Sequence, residues 1–319
     1  MSSIKKIITI FFFILISFVL IISLTEYLLK SQLGLGKPVV YVPHNLWGYS
    51  PKANSKYERF KEKYEITINN VGLRSKNNWD KSRKKILFLG DSVTYGGSYL
   101  NDDQTFPLLI CEELANYDCF NGGVNGYGIL NMVARSKYDK RISNAEVVVF
   151  TFITQDFNRG LNKSDTAHFI LRDPPKYFPA IWEILNFVAA KIEPKFWFGK
   201  KEINKKDNKK VLEEISITRK FALEIFISEI ERLISLKKIV LLVHSPSIDE
   251  VKNISLLDNE ILNEIELNFP NNLVFLGKKI STVEKSELDK LFKDNVHYDY
   301  NGHKFVAKLI AKKLKNLLN

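Results

Sequence analysis

The sequence predicts an α/β fold, a parallel sheet covered by helices on both faces, preceded by one membrane-spanning helix. Two observations predict the sheet. From Lys84 onward short apolar runs alternate with helical stretches, and the strongest run, Glu146-Val147-Val148-Val149-Phe150-Thr151-Phe152, has the continuous apolar character of a strand buried on two sides. A third observation predicts the membrane helix. Ile7 to Leu24 is apolar, softened only by Thr9, Ser17 and Ser23. At about 1.5 Å per residue it reaches about 27 Å, close to the roughly 30 Å of a bilayer's hydrocarbon core.

Lys5 and Lys6 precede this run, and Glu26 follows it before the next base at Lys30. That asymmetry keeps the N-terminus in the cytoplasm and sends residues 31–319 to the extracytoplasmic side. The exit, Ile-Ser-Leu-Thr-Glu-Tyr-Leu-Leu-Lys, has no Ala-x-Ala cleavage pattern. Residues 1–30 therefore read as an uncleaved signal-anchor with its span at 7–24, rather than a removed signal peptide.

Residues 31–83 read as a membrane-proximal extension that packs on the core. They contain Pro, Lys and aromatic residues with little periodicity, apart from a strand-like Tyr64–Ile68. In the domain proper, 84–319, Lys85–Leu89 is a buried-type strand, Thr105–Tyr117 a helix, Asp118–Asn121 a short strand and Ile129–Arg141 a helix. After the strand at 146–152 come a long helix (about Lys209–Leu236), a strand (Ile239–Val243), a helix (about Asp249–Leu267) and a strand (Leu273–Leu276). An amphipathic helix, Tyr300–Leu317, closes the chain with Lys304, Lys308, Lys312 and Lys313 on its exposed face. The insertion at about 157–208 carries Phe169, Tyr177, Phe178, Trp182, Phe196, Trp197 and Phe198 and ends in a lysine-rich run from Lys195. An insertion of that length leaving a strand's carboxyl end suits a lid or side wall.

Composition bounds the function. The 319 residues carry 47 Lys+Arg against 36 Asp+Glu, a formal charge of +11, with 45% hydrophobic residues, which excludes wholesale disorder. The basic excess is lysine spread along the chain and gives no reason to expect a nucleic-acid partner. Contact of the lysine run and the last helix with anionic lipid head groups is a further reading of these charges. Cys111 and Cys119 are too few for a disulfide scaffold or a multi-cysteine metal cluster. With one on a helix and the other on the next strand, two buried free thiols are expected. Asp294, His297, Asp299 and His303 lack zinc-ligand spacing, so no metal is expected. No Gly-x-Ser-x-Gly elbow is present, and no Walker A loop or Gly-x-Gly-x-x-Gly follows a strand, so no cofactor is implied. His44, His168 and His244 read as structural or surface residues, and His303 as packing behind the site.

Two elements carry chemistry. The first strand runs into Gly90-Asp91-Ser92-Val93-Thr94-Tyr95-Gly96. A serine on the turn between a strand end and a helix has its hydroxyl in the crevice and its own N–H unpaired, which suits a nucleophile or, equally, an N-cap. Near the C-terminus stands Asp294-Asn295-Val296-His297. Serine is a poor nucleophile without a base; histidine supplies one, and a carboxylate on its other nitrogen fixes the tautomer. Three residues of separation let one loop present both.

Together these elements resemble the SGNH (GDSL-type) hydrolase family, over roughly residues 84–319. The resemblance implies a flavodoxin-like three-layer αβα sandwich, with Ser92 as nucleophile, His297 as base and Asp294 as its orienting acid. Asn121-Gly122-Gly123-Val124-Asn125-Gly126-Tyr127-Gly128 is similar to the family's second block, which implies that Gly126 lends an N–H to the oxyanion hole beside the N–H of Ser92. The third block is Gly-x-Asn-Asp; here Phe152-Ile153-Thr154-Gln155-Asp156 lacks the glycine and puts Gln155 where asparagine donates its amide. Asp91, Thr94, Asp156 and Asn158 are further candidate substrate-binding positions, Asn158 also a substitute donor. Ile68–Arg74 and Asp102–Pro107 are similar to segments flanking the serine block in membrane-anchored bacterial members.

The expected function is a membrane-anchored extracytoplasmic esterase acting through an acyl-enzyme on acyl esters, acetyl foremost, of a cell-envelope glycan. Within the enzyme class the alternatives are a lipid esterase or lysophospholipase and a glycan O-acyltransferase. Outside it, the altered third block suits a non-catalytic glycan- or partner-binding module.

Overall fold

The computed structural model describes residues 2–59, 64–80, 83–162, 179–185, 188, 205–253 and 260–318. The lid aromatics Phe169, Tyr177, Phe178, Phe196, Trp197 and Phe198, His168 and the start of the lysine run lie outside these residues. Trp182 is described, and its side chain is exposed.

The N-terminal helix α1 (Ser2–Leu33) is longer than the expected span; residues 4–33 are long and apolar enough to cross a membrane, and their most apolar 18-residue stretch has a mean hydropathy of 3.1. Two compact units divide the chain: one comprises 1–38, 57–64 and 174–202, the other 39–56, 65–173 and 203–319. Within the first, the Glu26 carboxylate at the exit of α1 accepts the N–H groups of Ala180 and Ile181 at 2.8 and 3.0 Å. Arg59 pairs with Glu183.

Four short strands precede the α/β body: β1 (Tyr41–His44) pairs with β2 (Gly48–Pro51), and β3 (Ser55–Arg59) with β4 (Tyr64–Ile68). Only β4 has a sequence signal. The others are four or five residues long and carry Pro43, Gly48 and Pro51, too little chain to display a period. Tyr41, Tyr49, Leu73 and Trp79 enter the same apolar cluster as the sheet's lower face.

The central sheet holds β5 (Lys84–Gly90), β6 (Tyr117–Gly123), β7 (Val147–Phe152), β8 (Ile239–His244) and β9 (Leu273–Phe275) in the order β6-β5-β7-β8-β9, with every pairing parallel. This is the flavodoxin-like order. The chain starts at β5, moves to the edge at β6, and returns past β5 to β7, so the reversal opens a crevice above the carboxyl end of β5.

Strand pleating assigns the two layers. Leu87, Leu89, Val148, Phe150, Phe152, Val240 and Leu242 point to one face, against α4 (Ile129–Tyr138), the long α5 (Lys205–Ser235) and α7 (Glu260–Asn268). Ile86, Phe88, Val147, Val149, Leu241 and Val243 point to the other, against α3 (Phe106–Cys111), α8 (Leu276–Ile280) and the closing helix α10 (Tyr300–Leu318). The remaining short helices are α2 (Ser92–Tyr95), α6 (Ile248–Lys252) and α9 (Lys285–Leu288). The helix expected over Asp249–Leu267 is thus α6 and α7, with 254–259 outside the described residues. Along α10, Lys304, Lys308 and Lys312 are exposed and Lys313 half-buried.

One expectation is corrected. Cys111 and Cys119 are not free thiols; they form a disulfide, with Cα atoms 5.7 Å apart. The expected helix over Thr105–Tyr117 stops at Cys111, and 112–117 turn through successive i→i+3 bonds. Cys111 therefore sits at the helix end, free to face β6, instead of mid-helix with its Cβ directed along the helix surface.

Candidate active site

The turn carrying Ser92 is fixed by its own residues. At Gly90, a Cβ would lie 2.0 Å from Thr94 Oγ1 and 2.7 Å from the Thr151 carbonyl oxygen, so only glycine lets β5 end this close to β7. Asp91 is the N-cap of α2, its carboxylate accepting the Val93 N–H at 2.9 Å. Gly96, at φ 83°, closes the single turn by donating its N–H to the Ser92 carbonyl at 3.0 Å. Asn121, buried at the end of β6, donates to the Thr94 carbonyl at 2.8 Å and accepts the Gly123 N–H at 2.9 Å. Arg74, from the segment before β5, donates Nη1 to the carbonyls of Tyr95 and Gly97 at 2.7 and 2.6 Å, Nη2 to that of Leu100 at 2.6 Å, and Nε to Asp102 at 2.8 Å. The extension before the sheet thereby grips the far side of the serine turn.

Asp294 and His297 come from the loop before α10. Gly302 lets that loop close on the helix, since a Cβ there would fall 2.0 Å from the Leu291 carbonyl oxygen. The Ile248 N–H donates to the Asn295 carbonyl at 2.8 Å, and Ser245 Oγ lies 2.7 Å from the hydroxyl of Tyr298. His297 Nε2 lies 2.7 Å from Ser92 Oγ, and its Nδ1 lies 2.8 Å from Asp294 Oδ2. The same carboxylate accepts the N–H groups of His297 and Val296 at 2.9 and 3.0 Å. Partial burial alone would push the Asp294 carboxyl up, but the two N–H donors and the imidazole outweigh it and hold it below the usual range. Asp294 is 55% exposed and His297 27%, so this end of the hydrogen-bonded chain faces solvent.

Gly126 follows β6 with φ 78°, in the left-handed region. Val124 ties its loop to the serine turn by donating to the Gly90 carbonyl at 3.0 Å, and Asn162 Nδ2 donates to the Gly126 carbonyl at 2.5 Å. Neither the Ser92 N–H nor the Gly126 N–H donates to a described residue. Gln155 sits in the 3-10 turn Thr154–Asn158 that leaves β7; its side chain is exposed and makes no hydrogen bond with a described residue.

Of the candidate substrate-binding positions, Asp91, Thr94 and Asp156 have wholly buried side chains, so they act on the site from beneath it rather than at its surface. Asn158 is half-buried, and its Oδ1 is enclosed without a partner. Burial pushes the Asp91 carboxyl up, opposed chiefly by Arg159. Burial and then the charge of Asp91 push Asp156 much further up.

Two groups near the site have no sequence signal of their own. Arg159 joins Asp156 at 2.6 Å and the Tyr127 carbonyl at 2.7 Å; the only hint is its place three residues after Asp156. His244, at the carboxyl end of β8, is fully buried, with Nε2 3.1 Å from Thr154 Oγ1, which donates to Glu250 at 2.8 Å. Burial pushes the His244 imidazole down to about 4. His303, also buried, accepts the Phe106 N–H on Nδ1 at 3.1 Å.

No protein-family model and no curated protein matches the chain. It is similar to solved structures. One is a lipase/acylhydrolase from Enterococcus faecalis, at 15% identity and TM-score 0.45, covering 73% of this chain and 96% of that one. Another is a member of the lipolytic G-D-S-L family from Veillonella parvula, at 13% and 0.39, covering 73% and 97%. A third is an acetylxylan esterase from Geobacillus stearothermophilus, at 14% and 0.42, covering 74% and 95%. The hydrogen-bonded chain from Ser92 to Asp294 stands independently of them.

Proposed function

We propose that the chain is a membrane-anchored, extracytoplasmic serine esterase that cleaves acyl esters, acetyl foremost, of a cell-envelope glycan. The observation that carries the reading is the continuous line from Ser92 Oγ through His297 to Asp294, at 2.7 and 2.8 Å. His297 removes the Ser92 proton as the oxygen attacks the ester carbonyl, and Asp294 stabilises the imidazolium that forms. The N–H groups of Ser92 and Gly126, without partners among described residues, receive the oxyanion, and the Gln155 amide swings in as a third donor. His297 then gives its proton to the leaving hydroxyl. Water clears the acyl-enzyme with His297 again as base.

The length and hydropathy of α1 support anchoring. The Cys111–Cys119 disulfide supports an oxidising compartment for the domain.

The full-length protein in detergent, incubated with a fluorophosphonate probe and with p-nitrophenyl acetate beside Ser92→Ala, tests the reading. Wild type labels and turns over, whereas Ser92→Ala does neither. A folded wild type that neither labels nor hydrolyses would sink it in favour of a binding module. A p-nitrophenyl ester series separates acetyl preference from a long-chain lipid esterase.

A further inference from the structure

Arg159 stands where the loops leaving three strands converge. Its Nη1 donates to Asp156 in its own turn, donates to the carbonyl of Tyr127, the residue after Gly126, and lies 3.7 Å from Asp91 Oδ2, the residue before Ser92. All three contacts fall on one nitrogen. Nε and Nη2 donate to no described residue, and the side chain is 31% exposed. Arg74 shows what a purely structural arginine looks like in this chain, because all three of its nitrogens are engaged and its side chain is wholly buried. Arg159 is instead clamped by one nitrogen while the Nε–Nη2 edge, the fork that matches carboxylate and phosphate, stays open.

The local charges favour an anion there. Among the described residues Asp156 and Asp91 are the carboxylates that face the guanidinium; burial pushes both toward their protonated forms, Asp156 further, and at 3.7 Å Asp91 Oδ2 takes no hydrogen bond from it.

We propose that the open edge of Arg159 is an anion subsite beside Ser92, so that the preferred substrate is an acyl ester carrying a carboxylate or phosphate near the ester group. This rests on reading Ser92 as the centre of the site, yet it is measurable without turnover. Full-length Ser92→Ala in detergent is titrated with two matched pairs: O-acetylated galacturonate against its methyl ester, and an O-acetylated sugar phosphate against the neutral acetylated sugar. The anionic member of at least one pair binds about tenfold or more tighter, as expected of charge-assisted hydrogen bonds. Which pair responds tells carboxylate from phosphate.

Adding Arg159→Gln abolishes the preference. Arg159→Lys, which keeps the charge but not the fork, reduces it about threefold or more and serves alone if the glutamine variant does not fold. Equal affinities within both pairs, no binding of any member, or a preference unchanged in the lysine variant would overturn the subsite. Absence of fluorophosphonate labelling in wild type overturns the esterase reading instead, and leaves this comparison standing.

Discussion

The Ser92 turn and the Gln155 turn leave neighbouring strands, β5 and β7, toward the same crevice, but they are built to different tolerances. Around Ser92 five residues hold the turn: Gly90 through a contact that admits no Cβ, Asp91 and Gly96 through the two caps, and Arg74 and Asn121 through the carbonyls of the turn. Around Gln155 the commitment skips the residue itself. Thr154 is held by His244 and Glu250, and Asp156 by the Ile153 N–H and Arg159, while Gln155 between them is exposed and unbonded. The scaffold thus fixes the proposed attacking oxygen and leaves one donor of the proposed oxyanion hole to be ordered by substrate.

Adding a single methyl group to each turn tests this contrast most severely. Gly90→Ala forces either Thr94 or the β5–β7 backbone to move, an overpacking that costs roughly 1–3 kcal/mol. Displacing Ser92 by about 1 Å costs about 100-fold in turnover. A Cβ at Gly160, in the loop two residues past the Gln155 turn, meets nothing within 4 Å, so Gly160→Ala leaves p-nitrophenyl acetate turnover and the thermal midpoint within error of wild type. Equal losses from the two variants would erase the distinction between the turns.

A smaller effect is expected at Gln155. A preorganised oxyanion donor is worth about 3–4 kcal/mol, but fixing an exposed glutamine side chain costs up to roughly 2 kcal/mol of rotamer freedom. The remainder, about 1–2 kcal/mol, predicts a 5- to 30-fold fall in kcat for Gln155→Ala with little change in KM. A fall of about 1000-fold would mean that Gln155 is already in place before substrate arrives. No fall would leave the oxyanion to the two backbone N–H groups alone.

The parts of the molecule that were legible in the sequence are those whose signal is local. The runs at Lys85–Leu89, Glu146–Phe152 and Ile239–Val243 announce the sheet because a strand covered on both faces must be apolar throughout. Ser92, Asp294 and His297 stand out because each lies beside a turn in a recognisable string, and the structure brings Ser92 and His297, 205 residues apart, to 2.7 Å. What could not be read depends on contacts made only after folding. Arg159 is an ordinary charged loop residue until three loops meet around it. Cys111 faces Cys119 only because α3 ends early, and Arg74 acquires its carbonyl partners only when the extension packs against α2.

Each of the two turns also rests on a buried neutral histidine, which makes acid a gentler probe of the same contrast. His303 lies behind the Ser92 turn, its Cε1 3.4 Å from where a Cβ on Gly96 would sit, and burial followed by the Arg74 and His297 charges pushes it down to about 3 from the usual 6.5. His244 supports Thr154 and is pushed down to about 4. In both cases the unfolded chain takes up the proton first, so the stabilising effect is complete above about pH 6.5 and declines as pH falls toward the folded values. Each histidine contributes up to about 1.4 kcal/mol per pH unit to that decline. His303→Asn, which keeps an acceptor for the Phe106 N–H, removes one proton's worth of slope from urea-unfolding stability between pH 6 and 4, and the His244 contribution remains. An unchanged slope would mean that His303 already charges in the fold, and that the serine turn rests on a softer support than its packing implies.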